Sequence, residues 1–110
     1  MPQVLTYDDD IFATMKVLAD GHRQRILALL ARGEHCVCEI TDQMGLPQNS
    51  VSHHLRVLRE QHLIMSRRKP EDQRWVYYRI NPETLERVAR QLQQWADEAR
   101  SAPAHPIVCP

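Results

Sequence analysis

The chain has 110 residues, 43% of them hydrophobic, with 14 basic and 14 acidic side chains and no net charge. That length allows one domain around one small core, which gains from sharing surface with a second chain. No apolar run is long enough to span a bilayer, and the acidic start from Met1 to Asp10 has no apolar signal segment, so a cytoplasmic protein is expected.

The charge is unevenly spread. Residues 1–46 carry four basic and seven acidic groups, and residues 81–110 carry three and four. Residues 47–80 carry seven basic groups (Arg56, Arg59, Arg67, Arg68, Lys69, Arg74, Arg79) against Glu60, Glu71 and Asp72, with His53, His54 and His62 nearby. A local cationic excess is what a phosphate-facing surface needs. Three cysteines without an apolar leader fit reduced thiols better than a disulfide framework.

Asp8 to Asp10 can cap a first helix, with Ile11, Met15 and Leu18 at helical spacing. Asp20-Gly21 breaks it and caps a second, whose apolar face is Ile26, Leu27, Leu29 and Leu30 and which Gly33 ends. A short third helix carries Val37, Ile40 and Met44, with Gly45 as a left-handed cap. Pro47 opens a fourth, with Val51, Leu55 and Leu58 inward. Two helices joined by so short a turn form a helix-turn-helix.

Two strand-like runs follow, 63–69 and 74–80, around the polar loop Pro70-Glu71-Asp72-Gln73. Val76, Tyr78 and Ile80 alternate there with Trp75, Tyr77 and Arg79. A hairpin directly after a helix-turn-helix is a wing. The expected fold is therefore mainly α with a small β-hairpin, a winged helix-turn-helix over 1–100 with a Pro-rich tail at 101–110. In a last helix from Pro82 to Arg100, Leu85, Val88, Leu92, Trp95 and Ala99 form a narrow seam, the pattern of a helix packed along another. A twofold homodimer through that seam would set two reading heads on one face of DNA.

In a helix-turn-helix the start of the second helix meets base edges. Here it offers Gln48, Asn49 and Ser50, then Ser52 and His53. Amides can bond adenine through two atoms, and hydroxyls and imidazoles serve bases or phosphates. Arg56 and Arg59 lie further along, and Arg67, Arg68, Lys69 and Arg74 of the wing suit phosphates. The expected partner is double-stranded operator DNA, with no second protein implied. An enzyme is not expected: Ser52, His53 and His54 are helix neighbours pointing to different sides, with no glycine-rich oxyanion loop beside them.

The runs VLADGHRQRILALL (17–30), EHCVCEI (34–40), VSHHLRVLRE (51–60) and RWVYYRINPE (74–83), in this order, resemble the arsenic-repressor or ArsR/SmtB family of metal-sensing repressors. The resemblance implies a winged-helix homodimer joined through its first and last helices, bound to its operator when free of metal and released when a metal or metalloid binds. Many relatives have Ser where this chain has Pro47, which removes a capping hydroxyl.

Cys36-Val37-Cys38 is expected to open the third helix. On a regular helix positions i and i+2 lie about 200° apart, so one ion can take both sulfurs only if the first turn is distorted. Such distortion would strain the support of the reading helix and lower DNA affinity. Soft thiolates select soft acceptors. The resemblance implies a thiol site for As(III) or Sb(III), with Cd(II) or Pb(II) as the alternative. Thiol oxidation is a further possible signal. Arsenite sensors of this kind often carry a third Cys where Thr41 stands here, and cadmium sensors draw thiols from an N-terminal arm, whereas no Cys precedes Cys36. Cys109 is the remaining thiol and the expected third ligand. His35 is a weaker candidate donor beside Cys36. Zinc, cobalt and nickel sensors of the family use His on the last helix, and residues 82–100 contain none.

Overall fold

The computed structural model describes residues 9–105. Its elements are α1 (Asp9–Leu18), α2 (Gly21–Leu30), β1 (His35–Cys36), α3 (Val37–Met44), α4 (Gln48–Glu60), β2 (Ile64–Lys69), β3 (Asp72–Ile80) and α5 (Pro82–Ser101). The expected capping role of Asp8 lies outside the described residues. Among the described residues no helix is long and apolar enough to cross a membrane.

Local chemistry sets the helix ends. Asp20 is extended (φ −87°), and its carboxylate accepts the Arg23 N–H at 3.0 Å, the N-cap arrangement that closes the first turn of α2. That backbone hydrogen bond holds the Asp20 carboxyl below its ordinary range. Gly45 ends α3 at φ 66° and donates to the Thr41 carbonyl at 3.0 Å, a conformation that penalises any side chain with a Cβ. Pro47 occupies the N-cap of α4, one residue before the first turn where the sequence placed it, and no side chain caps this helix.

The end of α4 is less expected. The His62 N–H reaches the Arg59 carbonyl (2.9 Å) and the Leu63 N–H reaches the Leu58 carbonyl (3.0 Å), a Schellman motif whose left-handed residue is His62 (φ 57°). The Thr84 hydroxyl (2.6 Å) and the Asn81 side-chain amide (3.0 Å) both donate to the His62 carbonyl, pinning the strained turn to the start of α5. His62→Gly should raise stability by about 1 kcal/mol, because glycine takes left-handed backbone without penalty. Chemical denaturation checks this, and a lower midpoint would mean that the imidazole contributes more than the strain costs.

The core lies where α2, α3 and α4 meet the foot of the wing. Ile26, Ile40, Val51, Leu55, Leu58 and Leu63 are fully buried there, and Tyr78, Ile80 and Leu85 pack against them. Burial of Ile26, Leu27 and Leu30 confirms the α2 face, with Leu29 at its half-buried edge.

The sheet corrects the sequence reading twice. It has three strands in the order β1-β3-β2, all antiparallel, because His35 and Cys36 pair with Tyr78 and Tyr77. The expected four-residue loop is also shorter: Asp72 pairs with Lys69, leaving Pro70 and Glu71 as the turn, and a bulge lies between Arg68 and Lys69. Asp72 holds that turn by accepting from the backbone N–H of Arg74 at 3.1 Å.

The seam of α5 divides in two. Val88 is buried and Leu85 packs on the core, whereas Leu92 (53% exposed) and Trp95 (41%) are left open. Trp95 stacks on Phe12 of α1 with ring centres 6.1 Å apart.

Candidate functional site

Cys36 is not in the first turn of α3, as the sequence suggested. It is the last residue of β1 and the N-cap of α3, extended at φ −83° and ψ 166°. Strand pairing with Tyr77 takes its backbone out of the helical region, which removes the opposition of side chains that a regular helix would impose. Its sulfur faces the Glu39 N–H without a close bond, and its own N–H donates to the Glu39 carboxylate at 3.0 Å, a capping box with sulfur in place of a hydroxyl. Burial pushes the Cys36 thiol up, partly opposed by the Glu39 backbone N–H, while the Cys36 N–H holds Glu39 down.

Cys36 is buried and Cys38 exposed, yet both line one hollow of about 230 Å3. Its other walls are Val37, Gln48 and Ser52 of α4, and Arg74, Trp75, Val76 and Tyr78 of β3. A second, open hollow lies along α4, lined by Gln48, Asn49, Ser52, His53 and Arg56. Four expected reading residues and Arg56 thus share one face, as helical spacing requires. Ser50 does not join them; it is half-buried on another side of the helix. Gln48 and Ser52 belong to both hollows. An Arg56 guanidinium nitrogen lies 3.0 Å from His53 Nδ1.

The wing cations are more engaged than their sequence positions suggest. Arg67 makes a two-pronged pair with Glu34, both bonds 2.7 Å, and its guanidinium lies 5.5 Å from the centre of the Tyr77 ring. Arg74 pairs with Asp72 at 2.8 Å, and Arg68 donates to the Gln73 carbonyl at 2.6 Å. The Arg67 side chain is 53% exposed, so its ion pair contributes little to stability and phosphate can compete for it. Glu34→Gln should therefore tighten binding to any duplex and steepen the salt dependence by about one counterion, while Arg68→Ala weakens all duplexes alike. Salt titrations of DNA binding decide this, and an unchanged slope in Glu34→Gln would remove Arg67 from the phosphate contacts.

Cys109 lies outside the described residues. Among the described ones, no group of three or more His, Cys, Asp or Glu is arranged to hold a metal ion. The His35 ring lies 2.7 Å from the Gly33 carbonyl through Nδ1. His54, held below its ordinary value chiefly by burial, sits 3.3 Å from an Arg23 guanidinium nitrogen. Sequence reasoning missed Trp75 and Tyr78 as walls of the thiol hollow. Strand alternation tells which side of a sheet a residue takes, without naming what faces it.

Residues 20–66 match the family model described as bacterial regulatory protein, arsR family. The chain is 39% identical to the arsenic resistance transcriptional regulator ArsR1 of Pseudomonas putida, over 86% of this chain and 83% of that protein. It is 40% identical to the arsenical resistance operon repressor of Escherichia coli, over 61% of this chain and 56% of that one. Its fold matches the solution structure of a homodimeric winged helix-turn-helix DNA-binding domain from Mycobacterium bovis, described as a possible ArsR-family regulator. That match has a TM-score of 0.64 and 31% identity, covering 94% of this chain and 99% of that one.

Proposed function

The chain belongs to the arsR family of bacterial regulatory proteins, and from that premise we propose a cytoplasmic, homodimeric repressor that leaves its operator when As(III) or Sb(III) binds Cys36 and Cys38, with Cys109 as the third thiol. The observation that carries this reading is the sharing of Gln48 and Ser52 between the thiol hollow and the base-facing side of α4. Whatever fills the thiol hollow touches residues that would meet DNA. Tyr77, paired with Cys36 and lying under Arg67, ties the same site to the wing. Exposed Leu92 and Trp95, with Phe12 beside them, support a dimer through α1 and α5, and the similar M. bovis domain is described as homodimeric.

A trivalent arsenic or antimony hydroxide exchanges its hydroxides for thiols and releases water, and its three bonds match the three thiols of the chain, Cys36, Cys38 and Cys109. Cd(II) or Pb(II) at the same thiols, or their oxidation, is the alternative signal.

The test is binding of the reduced protein to DNA from its own promoter, followed by fluorescence anisotropy, with arsenite or cadmium added. Release by arsenite supports the reading. Tight binding indifferent to arsenite and broken by cadmium would overturn the metalloid assignment, and no specific binding at all would overturn the repressor.

A further inference from the structure

We propose that the hollow between the start of α4 and the foot of the wing seats one sugar–phosphate strand of bound DNA, and that Trp75 packs on a deoxyribose there. The proposal rests on the DNA-binding part of the reading above and is independent of the inducer. Among the described residues three large apolar side chains are exposed, Trp75, Leu92 and Trp95. Leu92 and Trp95 belong to the α5 seam. Trp75 stands on β3 of the wing, and neither the core nor that seam accounts for its 43% exposure. It lines the hollow beside Gln48 and Ser52, which also belong to the open face of α4.

Duplex geometry says what that position meets. The major and minor grooves of B-DNA are divided by a sugar–phosphate strand. With the start of α4 in the major groove and the wing beyond it, the dividing strand runs through the space between them. The mixed walls of the hollow match the two parts of such a strand. Ser52 and Arg74 suit phosphate, and the Arg74 side chain is 89% exposed, so its pair with Asp72 yields readily to a phosphate oxygen. Val37, Trp75 and Val76 suit the apolar C–H edge of the sugar. The Arg74 guanidinium holds the Asp72 carboxyl below its ordinary range, and the Trp75 indole N–H adds to that effect. The polar edge of the indole thus belongs to the wing turn, and its hydrocarbon body is left for the strand. A volume of about 230 Å3, several times the ~30 Å3 share of a water molecule, admits a sugar ring. Duplex bases stay stacked and offer Trp75 no face, so the contact carries no sequence information.

The experiment measures binding of the reduced full-length protein, without metal, to promoter DNA and to a random duplex over a range of salt. Burying on the order of 30 Å2 of apolar surface at each half-site corresponds to about a tenfold gain in affinity for a dimer. Trp75→Ala should therefore weaken both duplexes by the same factor of about ten and leave the salt slope unchanged, because an apolar contact releases no counterion. Trp75→Phe should restore most of the loss, whereas Arg74→Ala should weaken binding with a shallower slope. Trp75 emission, isolated as the difference between wild type and Trp75→Phe, should shift to the blue on either duplex. Should Trp75→Ala fold poorly, the emission decides alone. A loss confined to one sequence, a shallower slope in Trp75→Ala, or unchanged affinity or emission would each overturn the proposal. A wild-type protein that does not prefer its promoter defeats the repressor reading instead, and the Trp75 comparison on the random duplex still stands.

Discussion

Leu92→Glu is expected to yield a monomer in sedimentation velocity and to lower operator affinity by about a hundredfold or more. Within one chain the change is mild, because Leu92 is 53% exposed and a carboxylate there sits in water. Across a twofold α5 interface the same charge is buried without a partner, at a cost of several kcal/mol, enough to dissociate a small dimer. Monomers then meet the two operator half-sites independently, and the effective-concentration gain of roughly 10²–10⁴ that linkage provides is lost. Gln93→Glu, the same charge change on another face of α5, serves as control and should leave both dimer and affinity intact. A dimeric Leu92→Glu protein with normal DNA binding would place the interface elsewhere.

Cys36→Ser is expected to keep the fold and operator binding and to lose the proposed response to arsenite. Cys36 is the N-cap of α3, a position that prefers serine, so the hydroxyl takes over the Glu39 N–H and stability stays level or rises by up to about 1 kcal/mol. What disappears is the thiol, and with it the coupling between inducer and DNA, typically about 5–150-fold in affinity. Thermal melting and anisotropy on one preparation separate the two effects. Unimpaired release by arsenite would show that the response does not pass through Cys36.

These predictions draw on the sequence and the structure in different proportions. The helix-turn-helix was legible because its punctuation is local: Asp20, Gly45 and Pro47 mark helix ends, and Val51, Leu55 and Leu58 repeat at the helical period. The wing was legible from alternation, though the polar composition of 70–73 overstated its loop, since Asp72 takes part in the ladder and fixes the turn with its carboxylate. β1 was hidden because two residues cannot display a period. The Glu34–Arg67 pair joins positions 33 apart in the chain, and no local pattern announces it. The α5 seam showed which residues share a stripe. It could not say that Leu85 and Val88 serve their own core while Leu92 and Trp95 stay open, because periodicity names a face and not its neighbour.

Gln48 and Ser52 line both the thiol hollow and the open face of α4, so the central claim is that the two sites are energetically coupled. Coupling of this kind is reciprocal: if arsenite weakens DNA binding by some factor, DNA must weaken arsenite binding by the same factor. The most direct measurement is therefore the arsenite affinity of the reduced dimer, free and saturated with operator, by competition with a dithiol. The account predicts weaker arsenite binding on DNA, by the factor found for DNA release. Equal arsenite affinity in the two states would contradict it, whatever the thiols bind.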